Sequence, residues 1–170
     1  MYLRNIKRGK QGKMEKLELK IPPVLLVVIS LLLMWFTHQL LPHFTVTFSF
    51  TSDYGVQLAG ALLLLGALVI FAGIYAFRKA QTTVNPMTPS DASSLVKTGI
   101  YRITRNPMYL GFLLMLIAYA VYLQHPFTLV WCGVFVGYMT QFQIKPEERM
   151  LNQLFGEPYH EYCEQVRRWI

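Results

Sequence analysis

Between residues 99 and 111 the sequence reads GIYRITRNPMYLG, with two arginines, two tyrosines and an Asn-Pro pair just ahead of an apolar run. Further on, Glu147 and Glu148 stand side by side after another apolar run ends at Phe142. Adjacent carboxylates repel each other and want a cationic partner. Arg102 and Arg105 offer cations, and Tyr101 and Tyr109 offer aromatic faces. Asn106 and Pro107 fit the cap and first turn of a helix whose leading N–H groups are free. Brought together, this set suits a ligand with a carboxylate, an ammonium and a flat ring. A snorkelling interfacial belt accounts for the arginines and tyrosines alone, but not for the carboxylates.

The elements that must position these groups follow from composition. Of 170 residues, 54% are hydrophobic and only 15% are charged, which points to a membrane protein. Four apolar stretches lack Lys, Arg, Asp and Glu: Ile21 to Leu41, Val56 to Phe77, Met108 to Leu123 and Phe127 to Phe142. The first two are long enough to cross a hydrocarbon core of ~30 Å. The last two have sixteen residues each and are joined by Gln124, His125 and Pro126. They predict a short helical hairpin leaning on the two long helices. The expected fold is all-α and integral to the membrane. It has about four transmembrane helices, two long plus the short hairpin, followed by amphipathic C-terminal helices in the cytosol.

All sixteen basic residues fall in three regions: seven before Ile21, five from Arg78 to Arg105 and four after Phe142. The loops 42–55 and 124–126 have none. The positive-inside rule therefore predicts that both termini and the 78–107 loop are cytoplasmic. The net charge of +7 then reads as topology and attraction to anionic lipid, with no nucleic-acid partner implied. Cys132 and Cys163 give no disulfide framework, and His38, His43, His125 and His160 are scattered, so no metal site is expected. Three parts are anticipated: a basic arm (1–20), two membrane helices (21–77) and a core carrying the chemistry (78–170).

Packing and C-terminal signals complete the outline. Ala59, Gly66 and Gly73 recur every seven residues, and Gly133 and Gly137 form a GxxxG; both patterns predict close helix packing. Pro146 predicts the first turn of a new helix, with Glu147 and Glu148 at its positive end. Gly156 predicts its stop, and a second helix is expected from about Pro158. Arg167, Arg168 and Trp169 read as an interfacial anchor.

In order and spacing these residues resemble the integral-membrane methyltransferases related to isoprenylcysteine carboxyl methyltransferase and phospholipid N-methyltransferase. The resemblance rests on Leu95, Val96, Gly99 and Tyr101, then Arg105, Asn106, Pro107, Tyr109 and Gly111. Glu147 and Glu148 follow, then Phe155, Gly156, Tyr159 and Tyr162. It covers about residues 85 to 169. It implies an enzyme that takes S-adenosylmethionine on the cytosolic side and methylates a hydrophobic or lipid-like acceptor. By position, Ser93, Ser94, Leu95, Val96, Tyr101, Asn106, Pro107, Met108, Tyr109, Gly111 and Glu147 would bind the cofactor. Arg105 and Glu148 would act in catalysis, Glu148 as the base for a protonated amine. Asn106 stands where the family usually has histidine. Gln143 stands where prenylcysteine enzymes place a substrate arginine, with Lys145 nearby, so prenylcysteine is expected to be a poor acceptor. The competing classes are an NADPH-dependent membrane reductase of related architecture and a non-catalytic small membrane protein.

Overall fold

A computed structural model describes residues 18–41, 52–80 and 94–170. Ser93, His43 and the basic arm from Arg4 to Lys16 lie outside the described residues. The described residues form helices and no strand. In chain order these are α1 (Pro23–Leu40), α2 (Ser52–Lys79), α3 (Pro107–Leu123), α4 (Leu129–Tyr138), α5 (Lys145–Phe155) and α6 (Glu157–Gln165). A 3-10 turn at Gly99–Arg102 precedes α3, and another at Pro126–Thr128 leads into α4.

The chain is built inside out, as a bilayer solvent requires. Along α2, Leu64, Leu68, Phe71 and Tyr75 are each about half to two-thirds exposed and share one face. The opposite face carries Ala59, Gly66, Gly73 and Ala76, all buried. Large apolar groups outside and small ones inside is the pattern of a helix packed in lipid. Three helices are long and apolar enough to cross a membrane: Pro23–Leu40, Tyr54–Lys79 and the continuous run Pro126–Phe155. With α3, which has 17 residues and is roughly 25 Å long, they make a multi-pass membrane protein.

The heptad of small residues on α2 is the seam against α3. A Cβ on Gly66 would lie 2.8 Å from the Gly111 carbonyl oxygen, and one on Gly73 would lie 3.0 Å from Met108 Cγ. This contact fixes α3, and therefore the turn that starts it, against the end of α2. The Gly133–Gly137 pair behaves otherwise. Both are exposed, and a Cβ on either would meet nothing within 4 Å. That GxxxG packs on no described residue, because Cys132 and Phe135 of α4, with Met139 of the π segment, turn to the core instead.

Pro146 takes the first turn of α5, as expected, with Glu147 and Glu148 beside it, but the helix before it does not break off. The helix from Pro126 runs unbroken to Phe155, through a wider π segment at Met139–Ile144. Proline lacks an N–H and leaves the carbonyl four residues back without its helical donor. That carbonyl is Phe142, and the Leu19 N–H donates to it at 3.0 Å. An Arg149–Glu18 ion pair at 2.5 Å holds the same N-terminal stretch in place. Glu147 and Glu148 therefore sit on a continuous helix, not at an open, positive helix end. Gly156 does stop α5: its φ of +55° and ψ of −127° are hard for any residue with a Cβ.

Two buried clusters result. One, with Met34, Leu116, Phe135 and Met139, fills the space between α1, α3 and α4. The other, with Ala76, Val96, Tyr101, Tyr159, Tyr162 and Val166, lies at the charged end and ties α6 to the 3-10 turn and the end of α2. The site lies beside this second cluster.

Candidate active site

Three backbone features converge on one cleft. The irregular segment 94–97 supplies Ser94, Leu95 and Val96. The 3-10 turn and the start of α3 supply Tyr101, Arg105, Asn106, Met108 and Tyr109. The first turns of α5 supply Glu147, Glu148 and Leu151. Phe77 of α2, Ile144 of the π segment and Tyr159 and Tyr162 of α6 complete the lining. The cavity they enclose is about 100 Å³, below the usual range of small-molecule sites, and it opens to the outside.

Glu147 points inward. Its Oε1 accepts from the Tyr109 hydroxyl at 2.5 Å and from Gln143 Nε2 at 2.6 Å. Tyr109 comes from α3 and Gln143 from the π segment, so two helices fix this one oxygen. Glu148 points the other way. It faces Arg105 at 3.2 Å and takes a two-pronged contact from Arg168, with Nε at 2.9 Å and Nη2 at 2.7 Å. The Arg105 guanidinium also donates to Cys163 Sγ. Both Glu148 oxygens are thereby engaged by guanidiniums, which bears on the role expected of Glu148.

The aromatic wall is neutral. Burial holds the Tyr101, Tyr159 and Tyr162 hydroxyls well above the usual tyrosine range. Tyr162 donates to the Tyr101 carbonyl at 2.7 Å, and Phe77 meets the Tyr101 ring edge-on at 5.3 Å. The rings are thus locked by their own contacts and present uncharged faces to the cleft.

Other expected residues fall outside the cleft or take a different role in it. Pro107 takes the first turn of α3 and packs under Gly73. Gly111 lies at the α2–α3 crossing, where a Cβ would be 2.6 Å from the Gly66 carbonyl oxygen. Gln143 is buried and committed to Glu147. Lys145 is exposed, bonds Gln141 at 2.9 Å and lines a separate outer groove. Asn106 precedes α3 but its side chain does not cap it; Nδ2 donates to the Arg168 carbonyl at 2.9 Å. Arg168 and Trp169, expected at the lipid interface, both make contacts within the protein. Arg168 turns inward to Glu148, and Trp169 Nε1 donates to Thr140 Oγ1 at 3.1 Å. Among the described residues no group of three or more metal-ligating side chains occurs.

Residues 54–158 match the family model described as phospholipid methyltransferase. The chain belongs to the phospholipid methyltransferase family. It is 32% identical over 105 residues to protein-S-isoprenylcysteine O-methyltransferase A of Arabidopsis thaliana, covering 62% of this chain and 53% of that protein. It is 30% identical over 115 residues to the B protein of the same plant, covering 68% and 56%. The Saccharomyces cerevisiae protein-S-isoprenylcysteine O-methyltransferase is 32% identical over 112 residues, covering 60% and 46%. The chain spans about half the length of each of these relatives. No solved structure matches it. The region matched to the phospholipid methyltransferase family takes in Tyr109, Glu147 and Glu148 but ends before Tyr159, Tyr162 and Arg168. Sequence reading passed over Phe77, Ile144 and Leu151 as lining residues, because each looks like ordinary apolar packing. It passed over Arg168 although the unpaired look of Glu147 and Glu148 was a signal that a cation must reach one of them.

Proposed function

We propose that this chain is an integral-membrane methyltransferase using S-adenosylmethionine, with its cofactor cleft on the cytoplasmic side, acting on a hydrophobic or lipid-like acceptor. The observation that carries the reading is the partly buried Glu147 carboxylate, fixed through one oxygen by Tyr109 and Gln143 inside a cleft walled by neutral tyrosines. That donor set fits an aminoacyl sulfonium with an adenine ring. Membership of the family and similarity to protein-S-isoprenylcysteine O-methyltransferases point the same way.

When bound, S-adenosylmethionine supplies an electrophilic methyl group on a cationic sulfur. The chain's part is to bind, orient and exclude water. Glu147 is the counter-charge for the ammonium, a charge-assisted contact worth ~1.5–3 kcal/mol. The faces of Tyr101, Tyr159 and Tyr162 offer cation–π contact to a sulfonium. Arg105, the fixed cation that lines the cleft, suits the carboxylate of the amino-acid end. Positioning is the main requirement, because charge disappears during the transfer. Glu148, held between Arg105 and Arg168, supports the wall; an acceptor that is already ionised needs no base from it.

Calorimetry of the purified full chain with S-adenosylhomocysteine and, separately, NADPH tests the reading. Binding of S-adenosylhomocysteine without NADPH is the expected result. The reverse would assign the cleft to a reductase, and binding of neither would leave a non-catalytic protein.

A further inference from the structure

The strap formed by residues 167–169 is tied to residues 104–106 through its backbone carbonyls. The Arg105 N–H donates to the Arg167 carbonyl at 3.1 Å. Asn106 Nδ2 donates to the Arg168 carbonyl at 2.9 Å, and Thr104 Oγ1 lies 3.4 Å from the same oxygen. Trp169 is fixed on Thr140. These contacts hold the strap without help from the Arg168 side chain. The guanidinium is thereby left for one task, the two-pronged contact with Glu148.

Arg168 does not line the cleft. It lines the outer groove, and Glu148 and Tyr159 form the wall common to both. The charged residues that do line the cleft are Arg105, Glu147 and Glu148. With both carboxylates ionised, those three alone carry one net negative charge. Arg168, behind the wall, brings the cluster of four to neutrality and holds Glu148 back against Arg105.

We propose that Arg168 is a positioning residue that acts through Glu148, cancelling its charge so that a cationic ligand is met by Glu147 alone. The proposal rests on the methyl-donor reading. It gives the wall a role in discriminating the charged cofactor from its neutral product. S-adenosylmethionine carries one more positive charge than S-adenosylhomocysteine, and otherwise they differ by a methyl group. The ratio of their dissociation constants therefore reports the charge of the cleft. A packing defect weakens both ligands together and leaves the ratio in place.

The test is calorimetry of both ligands against the full chain in one detergent at low salt. Arg168→Gln frees the Glu148 charge, so S-adenosylmethionine gains on S-adenosylhomocysteine by about threefold or more. Glu148→Gln leaves a surplus cation, and the ratio moves as far in the opposite direction. The double variant returns it to the wild-type value, and Arg168→Lys, which keeps the charge without the fork, stays near wild type. A ratio that moves in neither single variant, or in the same direction in both, overturns the proposal. So does a shift in Arg168→Lys equal to that in Arg168→Gln. Should Arg168→Gln not fold, the opposite-signed shift in Glu148→Gln decides alone. Wild type that binds neither ligand defeats the methyl-donor reading itself, a result distinct from intact binding with an unmoved ratio.

Discussion

Glu147 and Glu148 are consecutive on α5, yet their carboxylates face different partners: Glu147 meets the Tyr109 hydroxyl at 2.5 Å, and Glu148 meets Arg168 at 2.7 Å. Neighbours on a helix point about 100° apart. The two charges are thereby kept apart, one fixed by neutral donors and one by guanidiniums. The cleft owes its polarity to this division.

Tyr109→Phe removes one of the two donors on Glu147 Oε1 while keeping the buried ring. The loss of a single hydrogen bond corresponds to ~0.5–1.5 kcal/mol, roughly a two- to tenfold weaker affinity for S-adenosylhomocysteine. Calorimetry reads this directly; an unchanged dissociation constant would mean that Tyr109 does not hold Glu147 for the ligand.

Gly111→Ala places a Cβ 2.5 Å from Ile70 Cγ1 and 2.6 Å from the Gly66 carbonyl oxygen. Such overpacking costs ~1–3 kcal/mol. Gly133→Ala meets nothing within 4 Å and gains ~0.5–1 kcal/mol of helix propensity. Thermal unfolding in detergent should therefore fall for Gly111→Ala and hold or rise for Gly133→Ala. Equal behaviour of the two would contradict the α2–α3 seam.

The contrast between these glycines shows what the sequence could carry. Ala59, Gly66 and Gly73 were legible as a seam because the heptad spacing puts them on one face. Gly133 and Gly137 have equally good spacing, but the core face of α4 and the π segment is decided by Cys132, Phe135 and Met139. Pro146 was legible as a first-turn residue of α5, but the continuity of the helix before it was not. Its missing N–H argues for a helix start, and only the distant Leu19 N–H, bonded to Phe142, lets the helix run on. Tyr101, Tyr109, Arg105 and Glu147 were legible as one site because their types demand partners. Arg168 was not, since its direction is set by backbone contacts to Arg105 and Asn106, some sixty positions away in the chain.

Acceptor choice follows from Gln143 and Lys145. Gln143 is buried on Glu147, and Lys145 lies outside the cleft. Neither is placed to clamp the carboxylate of a prenylcysteine. With labelled S-adenosylmethionine, N-acetyl-farnesylcysteine is expected to be a poor acceptor beside a membrane lipid extract. Efficient methylation of the prenylcysteine that is lost in Lys145→Ala would show that Lys145 reaches the substrate.

Orientation is tested by labelling single cysteines in an otherwise cysteine-free chain. Arg102→Cys lies on the charged end, and Gln124→Cys lies in the uncharged turn between α3 and α4. The positive-inside rule predicts that an impermeant reagent reaches Gln124→Cys from outside intact cells. Arg102→Cys should label only after permeabilisation, and labelling it from outside would invert the topology.

The most direct measurement of the central claim is the affinity of S-adenosylhomocysteine for wild type and for Glu147→Gln. The variant keeps the size and a carbonyl acceptor for Tyr109 and Gln143 but loses the charge. If Glu147 is the counter-charge for the ligand's ammonium, affinity falls by roughly tenfold or more, the equivalent of ~1.5–3 kcal/mol. A Glu147→Gln protein that is folded and binds S-adenosylhomocysteine like wild type would contradict the account.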